Sequence, residues 1–184
     1  SILLPYILCL NKMSQIALGN GGIALVDDAD FIFLDGFSWT RADRRKTSYA
    51  ITTAKRQDGK HISVYMHRLL VGAERGIEVD HKNRDGLDCR RENLRVATRS
   101  QNASNSPSIG GTSKYKGVNW HRARGKWAAY IKHNMVRKYL GLFLSEQDAA
   151  CAYDAAAIRM HGEFAYLNFP HMETKHPEFA MSLT

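Results

Sequence analysis

The segment "VDHKNRDGLDCRRENLRVATRSQN", residues 79–102, decides how the rest of this 184-residue chain is interpreted. It sets an acid and a histidine side by side at Asp80 and His81, and then runs through a turn-rich stretch. Acids, amides and basic side chains alternate there at short spacing, which is typical of a binding or catalytic loop.

A calcium loop is the first interpretation to test. Residues at several ligand and turn positions of an EF-hand loop are present: Asn83, Asp85, Gly86 and Glu92. The first ligand position would then be His81, whose nitrogen suits a hard cation poorly. Further cations would crowd the ion: Lys82, Arg84, Arg90 and Arg91. The calcium interpretation is rejected, and these cations suit a polyanion partner such as DNA.

The local pattern predicts two strands and a helix. "EVDHK" (78–82) and "NLRVA" (93–97) are predicted strands, and Thr98 begins a helix with Gln101 placed for a capping box. Strand, strand and helix can turn one polar side chain each toward a common point. The candidates are Asp80, His81, Asn93 and Asn102.

These residue types suit the hydrolysis of a phosphodiester. A histidine with a pKa near neutrality can take a proton from water, so His81 is the candidate base. Asp80 and Asn102 offer oxygen ligands to a hard divalent cation such as Mg²⁺. Asn93 can hold the turn-rich stretch through bonds from its side chain to the backbone.

Composition indicates a globular protein with a basic surface. The chain is 44% hydrophobic and 24% charged, with a formal net charge of +8. From Asn93 to Ser145 it has no Asp or Glu but ten cations, interleaved with Tyr and Trp. A basic surface that contacts only solvent usually includes acidic residues as well. The absence of acids here therefore favours nucleic acid as the partner.

Cysteine usage and the first residues limit the setting. Cys9, Cys89 and Cys151 lie far apart without a Cys-x-x-Cys pair, so we expect no zinc site and a reducing, cytoplasmic location, without secretion. The apolar opening "SILLPYILCL" is too short to span a bilayer. Met13 is a candidate start, which makes residues 1–12 an upstream segment.

Residues 21–66 are predicted as strands. "IALV" leads into an acidic turn at Asp27, Asp28 and Asp30, and an Asp-Gly hairpin joins "SYAITTAK" to "HISVYM". "HRLLVG" (67–72) is a predicted short helix. After a Gly- and Ser-rich linker come three strands and a helix: 115–122, 126–133, 136–143 and 146–161.

The first half resembles the HNH nucleases, in the homing branch where asparagine replaces the last histidine. "MHRLL" and the segment 79–102 carry this resemblance, which covers about residues 20–105. It implies a ββα-metal fold with one divalent ion, Mg²⁺ or else Mn²⁺. It also implies catalytic roles for His81 and Asn93, and metal ligation by Asp80 and Asn102. His67 matches the family's "HR", and we expect it to pack or to support the site rather than to act in catalysis.

The second half resembles the plant ethylene-response-factor (AP-two/ERF) DNA-binding domain. The signatures are "YKGV", "GKWAAYI", "YLGLF", "AACAYDAAA" and "LNFP". The resemblance implies a three-stranded sheet in the DNA major groove, backed by the helix. We expect Trp127 and Phe143 to lie in the core rather than to stack on bases. DNA-facing positions would be Lys116, Asn119, Arg122, Arg124, Tyr130, Lys132, Arg137, Tyr139 and Tyr153. Plant members commonly carry arginine at the position of Asn119, so the plant target sequence is not assumed.

The predicted fold class is α+β: a β-rich region leading into a ββα-metal module, then a three-stranded antiparallel sheet on one helix. The predicted bounds are 13–102 for the nuclease domain, 103–113 for the linker, 114–170 for the DNA-binding domain and 171–184 for a tail. The predicted function is a metal-dependent endonuclease of a phage or mobile intron, acting on double-stranded DNA without a membrane or small-molecule cofactor. The alternatives are a DNA-binding protein with a decayed nuclease and an RNA-binding protein.

Overall fold

The structure, a computed structural model, describes residues 13–108 and 110–170. The chain divides into two compact units between Ala97 and Thr98. Several small antiparallel sheets and helices confirm the predicted α+β class. Within the described residues, no helix is both long and apolar enough to cross a membrane. The predicted upstream segment and tail lie outside the described residues, and the predicted domain bounds stay a prediction.

The first unit begins with a hairpin and a helix. Strands β1 (Met13–Ala17) and β2 (Ile23–Asp27) pair antiparallel and lead into helix α1 (Asp28–Asp35). The sequence predicted an acidic turn here, and this prediction is wrong. Asp28 and Asp30 instead form the first helical turn, where negative charge complements the helix dipole.

A three-stranded sheet and a short helix follow. The sheet order is β3–β4–β5, and the predicted Asp-Gly hairpin joins the last two strands. Helix α2 ends at Val71, directly before the glycine that the sequence predicted as its end. Gly72 has a φ of 65° and forms a left-handed cap. The bounds are Thr40–Asp43 for β3, Ser48–Lys55 for β4, His61–Tyr65 for β5 and Met66–Val71 for α2.

A second hairpin completes the first unit. Strands β6 (Glu78–His81) and β7 (Leu94–Ala97) pair antiparallel, with Asp80 opposite Arg95. The loop between them contains a 3-10 turn at Arg91–Asn93. The core of this unit is apolar, and its largest fully buried side chains are Leu34, Met66, Val26 and Cys89.

The second unit contains a short helix, a sheet and a long helix. Its three-stranded antiparallel sheet has the order β10–β9–β8. Strand β8 starts later than predicted because Gly117 has a φ of 79°, which interrupts extended backbone. The bounds are Arg99–Ser104 for α3, Val118–His121 for β8, Lys126–His133 for β9, Val136–Phe143 for β10 and Glu146–His161 for α4.

Small side chains let α4 lie close to this sheet. Ala149, Ala150 and Ala157 of the helix are fully buried beside Ala129 and Ile131 of β9. Close approach increases dispersion contact per unit area. Trp127 and Phe143 pack against the cluster that contains Ala129, Ala149 and Ala150, which confirms their predicted core roles.

Candidate functional site

Asp80 and His81 lie next to each other at the end of β6, and both are buried. The Asp80 Oδ2 atom accepts hydrogen bonds from Arg95 Nε at 2.9 Å and Arg95 Nη2 at 2.7 Å. Asp80 and Arg95 lie opposite each other on β6 and β7, so their side chains meet across the hairpin. The ion pair fixes the orientation of the carboxylate that the sequence predicted as a metal ligand.

The His81 imidazole lies among aromatic rings. Its ring centroid is 5.8 Å from that of Tyr49 and 4.8 Å from that of His67, edge to face. Burial lowers the pKa of His81 below its ordinary value, and the charges of Asp80 and Asp85 offset part of that effect. A lowered pKa keeps the ring neutral at neutral pH, the state in which it can accept a proton.

His67 supports this ring and is itself buried. Its centroid lies 5.2 Å from the ring of Tyr49 and 5.6 Å from that of Tyr65. Burial lowers the pKa of His67 to about 3, with smaller effects from His81 and Arg68. His67 therefore stays neutral and packs, as predicted from its place in the sequence.

Asn93 ties down the loop that follows His81. Its Oδ1 accepts the backbone N–H of Asn83 at 3.0 Å, and its Nδ2 donates to the Asp88 carbonyl at 2.7 Å. The backbone carbonyl of Asn93 also accepts the N–H of Lys82 at 2.9 Å. These bonds hold the residues directly after His81, which is the structural part of the role expected of Asn93.

The far side of the same loop is attached to strand β2. Leu25 donates its N–H to the Leu87 carbonyl and accepts the N–H of Cys89, each at 2.8 Å. Gly86 is required where the loop crosses β4, because a Cβ there would lie 2.6 Å from the Tyr49 ring. The loop is therefore a rigid part of the unit.

Two of the loop's cations, which the sequence suggested would suit a DNA partner, are engaged in ion pairs. Arg90 binds Asp88 at 2.7 Å and Glu92 at 2.9 Å. Arg91 makes a two-pronged pair with Asp30 of α1, at 2.7 and 2.8 Å. Asp88 and Glu92 of the loop and Asp30 of α1 compensate these charges. The side chains of Lys82 and Arg84 are exposed.

Asn102, the other predicted metal ligand, belongs to the second unit and lies half-buried on α3. The predicted capping box is confirmed, because Thr98 Oγ1 accepts the Gln101 N–H while Gln101 Oε1 accepts the Thr98 N–H. In the described ranges no group of three or more His, Cys, Asp or Glu could hold a metal. The predicted donor set is instead one carboxylate and one amide, hard oxygen donors of the type that Mg²⁺ and Mn²⁺ accept.

One sheet face of the second unit carries predicted DNA-facing side chains. Lys132 pairs with Arg137 across β9 and β10, and Tyr130 pairs with Tyr139. The Arg137 guanidinium lies 3.8 Å over the Tyr130 ring, a cation–π contact that holds it against the sheet. Because Ile131 points to the helix side and is buried, its neighbours Tyr130 and Lys132 lie on the opposite face.

Three further predicted DNA-facing positions lie along β8 and the turn after it. Asn119 is half-buried and pairs with Ala128 of β9. Arg122 and Arg124 lie in a 3-10 turn with exposed side chains. Their contact with DNA stays a prediction.

Tyr153 does not face DNA as predicted. Its side chain is 2% exposed and packs in a core cluster with Ile131, Ala156 and Ala157. Burial raises the pKa of Tyr153 well above its ordinary value. The tyrosine therefore lies on the face of α4 that packs against the sheet.

Lys116, another predicted DNA contact, is directed to backbone oxygens. Its Nζ donates to the carbonyls of Ser104 and Ser106 at 2.6 Å and of Ala103 at 3.3 Å.

Arg95 and Tyr49 were not predicted as site residues. Arg95 could have been found from the register of a β6–β7 hairpin, whereas Tyr49 is distant in sequence and gives no local signal.

Comparisons with known proteins agree with both resemblances. Residues 64–104 match the HNH endonuclease family. Dehydration-responsive element-binding protein 2E of Oryza sativa subsp. japonica is 44% identical over 61 residues, which are 32% of this chain and 19% of that protein. APETALA2-like protein 2 of Oryza sativa subsp. indica is 48% identical over 61 residues, 32% of this chain and 14% of that protein.

Ethylene-responsive transcription factor WRI1 of Arabidopsis thaliana is 44% identical over 61 residues, again 32% of this chain and 14% of that protein. The chain spans no more than about a fifth of the length of these three relatives. No solved structure matches the chain significantly. The chain therefore contains one segment that matches the HNH endonuclease family and another that is similar to AP2/ERF-type proteins.

Proposed function

We propose that the protein is a metal-dependent endonuclease that hydrolyses phosphodiester bonds in duplex DNA and is targeted by its C-terminal sheet. One observation carries this: the HNH match includes all four candidate residues, in a chain that also resembles DNA-binding AP2/ERF proteins. Those residues are Asp80, His81, Asn93 and Asn102. Resemblance to the homing branch supports an origin in a phage or mobile intron.

In this proposal His81 takes the proton from the attacking water. Its burial keeps the imidazole neutral, and its packing on Tyr49 and His67 fixes the plane of the ring. Asn93 acts by holding the loop after His81. A ring held in one orientation loses little entropy when the substrate binds.

Asp80 and Asn102 would hold the divalent cation. A bound Mg²⁺ or Mn²⁺ supplies charge stabilisation at the phosphate. Arg95 restricts Asp80 to one orientation through the two bonds to Oδ2. Restricting a ligand in advance reduces the cost of ordering it when the metal arrives.

The C-terminal sheet supplies the affinity. Lys132 and Arg137 present cations beside Tyr130 and Tyr139 on the face opposite α4. Cations bind phosphates, and polar side chains on the strands can reach base edges in the major groove. The AP2/ERF resemblance supports double-stranded DNA as the ligand of this face.

The test is cleavage of plasmid DNA by the full chain, with and without Mg²⁺ or Mn²⁺. His81→Ala is expected to reduce the metal-dependent rate by roughly 10² to 10⁴. His61→Ala removes an exposed histidine of β5 and should cut at the wild-type rate. Full activity of His81→Ala would show that His81 is not the base.

A second candidate function is DNA binding without cleavage. The ion pair of Asp80 with Arg95 favours it, because a carboxylate so engaged has less charge to offer a metal. Retarded migration of duplex DNA, without cleavage under any divalent cation tried, would support this candidate and contradict the endonuclease.

A further inference from the structure

Helix α3 is too short to be stable alone. It has six residues, Arg99–Ser104, and isolated helices below about 12 residues are marginal in water. Its N-terminus is held by its own capping box of Thr98 and Gln101. At its C-terminus, Asn105 and Ser106 donate to the carbonyls of Gln101, Asn102 and Ala103. The Ser104 carbonyl and the chain directly after the helix take their partners from farther along the sequence.

Those partners come from the AP2/ERF-type domain. Lys116 Nζ lies 2.6 Å from the carbonyl oxygens of Ser104 and Ser106 and 3.3 Å from that of Ala103. Tyr166 donates its backbone N–H to the Ser104 carbonyl at 3.2 Å. A lysine ammonium at this end also complements the helix dipole.

Lys116 is itself fixed by the domain that supplies it. Its backbone N–H donates to Asn168 Oδ1 at 2.7 Å, and its carbonyl accepts from Asn168 Nδ2 at 3.2 Å. Asn168 in turn donates its N–H and Nδ2 to Asp154 Oδ1 of α4, at 2.9 and 3.0 Å. A continuous set of bonds therefore runs from α4 through Asp154 and Asn168 to Lys116 and α3.

We propose that Lys116 is a positioning residue that joins α3, the helix carrying Asn102, to the DNA-binding sheet, and is not a phosphate contact. An ammonium has three N–H donors, and three carbonyl oxygens lie within 3.3 Å of this one. A phosphate could bind only by displacing them. The catalytic consequence rests on the proposed endonuclease function, since it acts through Asn102 as a metal ligand.

The experiment compares three full-length variants. Lys116→Met removes the donors, Lys116→Arg retains donors and charge, and Lys114→Met removes the same charge from an exposed neighbour that lies over the Tyr115 ring. For each, the single-turnover cleavage rate is measured against Mn²⁺ concentration at saturating duplex DNA. Duplex affinity is measured separately without a divalent ion.

Lys116→Met is expected to raise the Mn²⁺ concentration needed for half-maximal cleavage, on the order of tenfold. Its DNA affinity should match that of Lys114→Met, and Lys116→Arg should restore the metal dependence. A loss of DNA affinity beyond that of Lys114→Met, with unchanged Mn²⁺ dependence, would show a phosphate contact and overturn the proposal.

Hydrogen exchange separates this proposal from the endonuclease proposal. The amides of Asn102 and Asn105 donate within α3 and at its end, so Lys116→Met should speed their exchange on the order of tenfold. Faster exchange in a protein that binds DNA but never cuts would support the link while refuting the endonuclease. Unchanged exchange would refute the positioning role, whether or not the protein cuts.

Discussion

His81 combines burial with neighbouring acids, and these act on its pKa in opposite directions. Burial has the larger effect and lowers the pKa, since the charged ring loses more hydration than the neutral ring. Asp80, Asp85 and Asp88 limit the shift. The ring can therefore accept a proton during the reaction and release that proton afterwards.

The rate of metal-dependent cleavage should rise with pH as His81 loses its proton. Because its pKa is lowered, the midpoint should lie below 6.5 and the rate should be flat near neutrality. Single-turnover rates at constant metal and ionic strength provide the measurement, with DNA affinity at each pH as the control. A midpoint above 6.5 would contradict the environment described for His81.

Gly117 is a position where only glycine fits. Its φ is 79°, and an added Cβ would lie 2.5 Å from the Tyr130 carbonyl and overlap the Tyr153 ring. Gly125 has a φ of 57° but open space around it, so it is the matched control. Gly125→Ala should cost roughly 1–2 kcal/mol from the left-handed backbone alone, and Gly117→Ala about 1–3 kcal/mol more from overpacking. Hydrogen exchange in β9 measures both, and equal effects would contradict the crowding.

At the scale of elements, turns and caps made much of the second unit predictable. Gly125 and Asn134 separate the strands and Ser145 caps α4, so the last two strands and this helix begin and end where predicted. Helix α1 was missed because Ile32 and Phe33 are exposed on it. Its apolar residues therefore do not follow the one-sided pattern by which helices are recognised.

The candidate site was predictable only where its residues are adjacent in the sequence. Asp80, His81 and the loop held by Asn93 lie within one hairpin, so the motif includes them. The contact of Tyr49 with His81 depends on tertiary packing, which local patterns do not encode. The contacts of Lys116 with backbone carbonyls could not be foreseen, because a basic surface pattern does not distinguish a solvated ammonium from one that binds carbonyls.

The close packing of α4 on the sheet depends on its alanines. Ala157 is fully buried in the cluster with Ile131 and Tyr153, so Ala157→Leu should destabilise the second unit by about 1–3 kcal/mol through overpacking. Ile158→Leu, at an exposed neighbour, should change stability little. Hydrogen exchange in β9 and α4 gives the comparison, and similar protection in both variants would contradict the predicted packing.

At the scale of the whole molecule, charge is unevenly distributed. The formal net charge is +8, yet the loop cations Arg90 and Arg91 are compensated by acids in the first unit. The segment from Asn93 to Ser145 contains no acid of its own, and of its cations Arg95 pairs with Asp80 of the first unit. Electrostatic attraction to DNA should therefore come mainly from the sheet.

Lys132→Ala should weaken duplex binding and reduce the slope of log affinity against log salt by about 1. Lys55→Ala removes the same charge from an exposed position on β4 and should leave the slope nearly unchanged. Titrations over a range of salt concentrations measure both. If the two variants reduce the slope of log affinity against log salt equally, net charge alone governs binding and the sheet is not the DNA-binding surface.

The bonds at the C-terminus of α3 also have a consequence for biosynthesis. Residues leave the ribosome in chain order, so α3 emerges before Lys116 and long before Tyr166, which together complete its C-terminal end. If Lys116 positions α3 as proposed, a nascent or truncated chain carries Asp80 and His81 without a secured Asn102. Cleavage competence would then arise only after the DNA-binding domain has been synthesised, which would spare DNA from unguided cutting by incomplete chains.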